Sequence, residues 1–357
     1  MGGKSYKTVI VALCCCLASC VRDKPPAVIN TVPGATGNVY IVCEGNYGSG
    51  NASLYAYEPV RDSVFGDIYM AVNKQPLGDV FQSMQHIGNQ LFLCINNSNK
   101  IVVLHTANWA ITGSISIPGP RYILPINATK AYVSTLYSNR VYIINPQTLQ
   151  ITDTITMPGQ NPEGMCMYNN DAMICTWDTA GNSVFKVDIT TDKVAQSIKV
   201  AGYAPQEVLE DKEQTLWVLA GDQPEGKTGT LTRIDPSTGE ILKSFQFPAD
   251  ADALKPVFNN TKDTLYFIEA NYYGGTTNNG IYRMGINDEA LPTQPFVSAK
   301  QYQYFWALGI DPLTGNVYIG DPKGFTQNGN VYIYQPGGTL LKSFSVGVGP
   351  GHFYFDE

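Results

Sequence analysis

Charge is scarce in this chain. Lys, Arg, Asp and Glu together make up 15% of its 357 residues, against roughly 25% in an average soluble domain. Acidic residues outnumber basic ones, giving a formal net charge of −7. A nucleic-acid binder needs a basic patch to neutralise phosphates, so the charge argues against that class. Histidine is scarcer still, with three copies in all. None stands in an HxxH or HExxH spacing and no cysteines form a CxxC, so no zinc site is expected. No serine lies in a GxSxG context. No window carries an apolar stripe at the helical period, which excludes coiled coils and helical bundles.

What the chain has instead is turn formers and tyrosine. It contains 34 Gly and 22 Pro, and 22 Tyr against 14 Phe and 4 Trp. That composition belongs to many short, half-exposed strands joined by tight turns.

The first twenty residues, MGGKSYKTVIVALCCCLASC, stand apart. Lys4 and Lys7 precede an apolar run from Val9 to Leu17, too short to span a bilayer but suited to a secretory signal. The ending Leu17-Ala18-Ser19-Cys20 resembles the lipobox of bacterial lipoproteins, which implies cleavage after residue 19 and lipidation of Cys20. Residues 1–19 are therefore expected to be a signal peptide. Residues 20–35, with Pro25, Pro26 and Pro33, are expected to be the lipidated cysteine and a tether. The remainder, 36–357, is expected to be one domain.

Internal repetition decides the fold. Seven similar strands recur at intervals of 40–50 residues: NASLYAY (51–57), NKIVVLH (99–105), NRVYIIN (139–145), NSVFKVD (182–188), GTLTRID (229–235), NGIYRMG (279–285) and GNVYIYQ (329–335). Turn signals such as Asn145-Pro146 and Asp235-Pro236 follow several of them. Four short strands per 40–50 residues form the blade of a β-propeller, and seven copies predict an all-β, seven-bladed propeller. The leading strands fall at 79–87, 119–127, 161–168, 204–210, 252–258, 302–310 and 349–355. The last has no blade after it and the first blade, from Val39, has no leading strand before it. The C-terminal strand is therefore expected to complete the first blade and close the ring. Cys43, Cys94, Cys166 and Cys175 then belong to separate sites and read as free thiols, mostly buried.

In such a blade the lead-in to the inner strand and the loop between the second and third strands share one face. On that face the sequence places Tyr47, Gln82, Asn97, Arg121, Tyr122, Tyr137, Trp177, Tyr203, Glu207, Tyr272, Tyr273, Tyr304, Trp306, Phe325 and His352. Flat aromatic rings beside amides offer apolar contact with fixed hydrogen-bond partners, the chemistry of an extended ligand site. No nucleophile–base constellation accompanies them, so catalytic residues are expected to be absent. Glu44, Glu163, Glu207, Glu269 and Asp321 would hold a cation such as calcium if they converged on the channel, or are scattered, solvated carboxylates if they do not.

Three stretches carry a resemblance: Glu44-Gly45-Asn46-Tyr47-Gly48-Ser49-Gly50-Asn51-Ala52-Ser53-Leu54; Leu77-Gly78-Asp79 with Gln82-Ser83-Met84; and Asn96-Asn97-Ser98-Asn99-Lys100-Ile101. They resemble a family of Bacteroidetes propeller lipoproteins, similar to YncE-like and surface-layer propellers. Its BtuG-type members capture cobalamin at the cell surface and sit on an outer-membrane transporter. The resemblance implies cobalamin as ligand, no required cofactor, a TonB-dependent transporter as partner, and a lipid-anchored place on the outer-membrane surface. Capture of a glycan, haem or peptide, or a propeller lactonase or lyase, are the alternatives.

Overall fold

The computed structural model describes residues 1–2, 28–29, 37–271, 279–301 and 303–356. Cys20 and nearly all of the expected signal and tether lie outside the described residues, as do Tyr272 and Tyr273. Within them the chain forms seven sheets: six of four consecutive antiparallel strands, and blade 1, in which three consecutive strands are joined by the C-terminal strand and one extra strand. Blade 2 runs Phe81–Ile87, Gln90–Ile95, Lys100–His105 and Ile111–Ser116. The inner strands of blades 3 to 7 are Pro120–Asn127, Pro162–Tyr168, Pro205–Glu210, Asp252–Phe258 and Ala307–Ile310. Four of the seven inner strands open on proline (Pro120, Pro162, Pro205, Pro350), at the first position, where the missing N–H removes little from the ladder.

Blade 1 is closed as expected. Pro350–Phe355 pairs antiparallel with Val39–Cys43, in register from Val39 opposite Phe355 to Cys43 opposite Pro350. Ser53–Glu58 and Ser63–Phe65 complete the blade, and Val28–Ile29 runs parallel beside Ser63–Phe65 as a fifth strand.

Alternation along the strands makes the blades stack. In Leu216–Asp222 of blade 5, Leu216 and Val218 pack toward blade 4, while Trp217 and Leu219 pack toward blade 6. Both faces of a blade are therefore apolar and buried, which a single sheet could not satisfy alone. Aromatic pairs fill the seams: Trp217 stacks on Phe245 at 6.1 Å between centroids, and Tyr57 on Phe344 at 5.0 Å across the closure seam. Burial at the blade centres pushes the Cys94 thiol up to about 12, and all four cysteines of the domain are free.

The sequence did not signal the six-residue helix Ile68–Asn73, which is too short to express a period. Asp67 caps it, accepting a hydrogen bond from the Met70 N–H. No helix of the described residues is long and apolar enough to cross a membrane.

The lower rim is made of self-closing turns. Asn145 Oδ1 accepts from the Gln147 and Thr148 N–H groups, Asp188 Oδ1 from Thr190 and Thr191, Asp235 Oδ1 from Ser237 and Thr238. Asp311 does the same with Leu313 and Thr314. Each side chain supplies the acceptor that the turn's backbone lacks.

Candidate functional site

On the opposite rim the inner strands start and the second-to-third loops cross, and a cavity of about 510 Å³ opens there on the axis. Its floor comes from inner-strand positions of successive blades. The Arg121 guanidinium grips Glu163 with a fork of hydrogen bonds, Nε lying 3.0 and 2.9 Å from the two carboxylate oxygens. Its Nη1 donates to the Gln82 carbonyl oxygen, and the Gln82 amide donates to the Tyr122 hydroxyl at 3.2 Å. Blades 2, 3 and 4 are thus joined by one polar chain, which Tyr122 continues to Glu207 of blade 5. Glu163 is 4% exposed, so this is a buried charge pair that stands because every member is bonded.

On the other side Glu44 accepts from the Trp306 indole N–H at 2.9 Å. Gly351 and Gly164 clear the space beside Glu44 and Glu207, since a Cβ at either glycine would run into the carboxyl. Burial raises Glu44 above the usual carboxylate range against the pull of Lys255. It pushes Glu207 to about 7, with Lys255 lowering and Glu163 raising it. Burial thus favours the neutral form of both carboxyls over the ordinary carboxylate.

Aromatic rings form the walls and rim. Trp306 meets Phe325 edge-on at 5.5 Å. Tyr137 is 85% exposed and Tyr47 73%, yet both line the cavity. Tyr137 has a left-handed backbone, φ 63, and its N–H is held by Asn161 Oδ1 at 2.8 Å. Asn161 also donates from its amide to the Trp177 carbonyl at 3.2 Å, so one side chain fixes two aromatic loops.

Ten of the fifteen expected residues line this cavity: Tyr47, Gln82, Arg121, Tyr122, Tyr137, Trp177, Glu207, Tyr304, Trp306 and Phe325. Three do not. Asn97 points to Asp79, donating to Oδ2 at 3.0 Å, and its neighbour Asn96 lines the cavity instead. Tyr203 sits outside, with the Lys227 ammonium 5.2 Å from its ring centroid. His352 lies on the clasp strand, where burial and then the Lys255 charge lower it to about 4, but it is not part of the lining. Tyr272 and Tyr273 lie outside the described residues.

Three of the five carboxylates share the cavity and two lie elsewhere. Glu44, Glu163 and Glu207 line the cavity. Asp321 accepts from Gln303 at 2.7 Å and from the Lys323 N–H. Glu269 borders a second cavity of about 460 Å³ between blades 5 and 6. Among the described residues no group of three or more His, Cys, Asp and Glu is placed to hold a metal ion. Leu136, Gln206, Asp222, Pro224 and Asp252 also line the main cavity and were not singled out from sequence. Gln206 carries a readable signal, because it follows Pro205 as Arg121 follows Pro120 and Glu163 follows Pro162.

The architecture is that of a seven-bladed β-propeller with a cavity at one mouth of its axis. The chain belongs to the family described as Domain of unknown function (DUF5074), whose model matches residues 37–356. No curated protein matches the sequence. Among solved structures it is similar to a quinonprotein alcohol dehydrogenase-like protein from Bacteroides thetaiotaomicron, at TM-score 0.66 and 14% identity over 90% of this chain and 79% of that one. It is also similar to the hydrazine synthase of Kuenenia stuttgartiensis, at TM-score 0.60 and 14% identity over 74% and 86%. A third likeness is to the dihydro-heme d1 dehydrogenase NirN, at TM-score 0.59 and 8% identity over 92% and 77%. At these identities the likeness is one of fold.

Proposed function

We propose that this propeller is a capture protein rather than an enzyme, and that its ligand is a corrinoid such as cobalamin. The observation that carries the reading is the exposed pair Tyr47 and Tyr137, held over a cavity whose floor is already hydrogen-bonded. An exposed tyrosine ring costs little to leave in water alone, but two rings lining one opening make a platform for a broad, partly apolar disc. A corrin is such a disc, rimmed by amides that Asn96, Gln82 and Gln206 are chemically fitted to meet. A site built on rigid blades loses little freedom on binding, which favours tight capture. The expected lipid anchor at Cys20 would place the protein on the outer-membrane surface, to pass its cargo to a TonB-dependent transporter. That part rests on the lipobox and first-blade resemblances.

Calorimetric titration of the purified protein with cyanocobalamin, with haem in parallel, tests the reading. Saturable one-to-one binding, on the order of nanomolar or tighter, with no chemical turnover is expected. No heat and no shift in melting temperature would remove the corrinoid assignment, and binding of haem alone would redirect it.

A further inference from the structure

The two rims expose different kinds of side chain. The most exposed tyrosines, Tyr47 and Tyr137, belong to the cavity. At the lower rim the exposed large side chains are aliphatic, and four of them gather where blade 7 meets blade 1. Leu313 is 80% exposed in the 311–316 turn of blade 7, and Val60 is 92% exposed in the 59–62 turn of blade 1. Leu340 and Leu341, each close to half exposed, open the outer strand of blade 7 between them. Contacts tie these segments together. A Cβ on Gly315 would stand 3.3 Å from Pro336, in the turn that leads into Leu340. The Lys342 ammonium reaches across the seam to the Asp62 carboxylate. Single aliphatics scattered over a surface are ordinary, whereas adjacent ones mark a contact face.

The path of the N-terminal chain says what that face meets. Val28–Ile29 runs parallel to Ser63–Phe65, the strand that rises from the 59–62 turn. The chain therefore enters the propeller from the lower rim, beside Val60. Cys20, the expected lipid anchor, precedes Val28 by eight residues, at most about 28 Å of extended chain. A lipid on Cys20 holds the bilayer within that reach of this corner. The charges here are paired, Arg61 with Glu58 and Lys342 with Asp62, which leaves a neutral surface.

We infer that this corner is a lipid-facing surface, on which Val60, Leu313, Leu340 and Leu341 rest in the interfacial layer of the bilayer. This goes beyond the capture reading and rests on its anchor alone, not on its ligand. The cavity, on the opposite rim, then opens away from the membrane, toward the medium from which a ligand is captured. Handing cargo to a transporter requires the propeller to tip off the lipid, and a contact of four side chains is small enough to release.

The test uses the full chain, purified from membranes with its anchor and reconstituted on phosphatidylcholine vesicles. A polarity-sensitive fluorophore is attached at Leu313→Cys or, for comparison, at Tyr137→Cys, both exposed loop positions. The parent chain, treated alike, is the blank for its own thiols. Spin-labelled lipid should quench the fluorophore at 313 severalfold more than at 137, in low and high salt alike. Leu340→Ser combined with Leu341→Ser should lower the quenching at 313 toward the level at 137. Equal quenching at the two sites, undiminished quenching in the double variant, loss of quenching in high salt, or no lipid on Cys20 by mass spectrometry overturns the inference. So does a blue shift at 313 that needs no vesicles and grows with protein concentration, which would give the patch to a second copy. Cyanocobalamin titrated into the same samples separates the two ideas. Binding with equal quenching at both sites removes the membrane face and leaves capture standing. No binding with selective quenching at 313 does the reverse.

Discussion

At the lower rim Asp188, Asp235 and Asp263 are held below the usual carboxylate range by hydrogen bonds from their own turns, Asp263 as far as about 2. At the upper rim Glu44, Glu207 and Asp252 are pushed above it by burial. Asp356, at the lower end of the clasp, departs from the pattern and is raised by burial. The same four-stranded blade supplies both rims, so the difference is not one of fold. Below, the turn carboxylates take hydrogen bonds from their own turns, and cross-blade pairs such as Lys130–Asp192 and Lys262–Glu210 add to them. Above, partners come from neighbouring blades, and the Trp177 and Lys255 donors have none among the described residues. Local satisfaction marks a rim that holds the ring. Partners drawn from several blades mark the rim at which we propose that the ligand binds.

Four experiments would break or sharpen this contrast. The largest effect belongs to the scaffold that both rims share: deleting residues 349–357 should abolish the cooperative melt, read by calorimetry. Next comes a matched pair. Asp211, 1% exposed at the lower rim, accepts from the Trp217 indole at 2.9 Å and from the Thr215 hydroxyl at 2.7 Å, with Arg233 at 2.8 Å. Asp211→Ala and Arg121→Met should each cost about 3–5 kcal/mol, because each leaves a buried charge short of its partner. Only Arg121→Met should weaken cyanocobalamin binding. Equal binding losses in the two would erase the distinction between the rims.

The third test uses pH. A carboxyl raised in the folded state binds a proton that the unfolded chain releases earlier, so its contribution to stability falls as pH rises from the ordinary range, about 4.5, toward 7. Glu207→Gln removes that loss. It should be more stable than the parent at pH 8, by roughly 1–3 kcal/mol, and no different near pH 4. A lower-rim group such as Asp263 acts with the opposite sign, its contribution being lost as pH falls toward about 2. The smallest effects on stability come from exposed side chains. Tyr137→Ala and Leu313→Ala, 85% and 80% exposed, should each change stability by no more than about 0.5 kcal/mol. Tyr137→Ala should nevertheless lower ligand affinity at least tenfold, and Leu313→Ala should not.

The ring was legible in the sequence because a period-2 third strand recurs seven times over, with Asn- or Asp-led turns after several of its copies. Closure was legible too, from a leading strand left over at one end. The cavity was legible by residue type and face, but not by direction. Asn96 and Asn97 are adjacent in one loop, and only a three-dimensional turn decides which of them reaches the opening. Tyr203 fails for the same reason. Lys255 was readable by position, at an inner-strand entry on this face, whereas the break in strand register at which it sits was not. The Arg121, Gln82 and Tyr122 chain joins residues about forty positions apart that share a register on neighbouring blades. Such a link can be read only once the repeats are stacked.

The closure of blade 1 also sets a timetable. Val39–Cys43 is synthesised before every blade that follows, and its inner partner Pro350–Phe355 arrives after all of them. Until then the first blade presents an unpaired inner edge to whatever surrounds the emerging chain. A nascent chain that stalls at any intermediate blade keeps that edge open and remains visible to chaperones and proteases. One that reaches its final strand hides the edge in a single step. The order of synthesis thus acts as a check that every blade is present before the protein is released to its work.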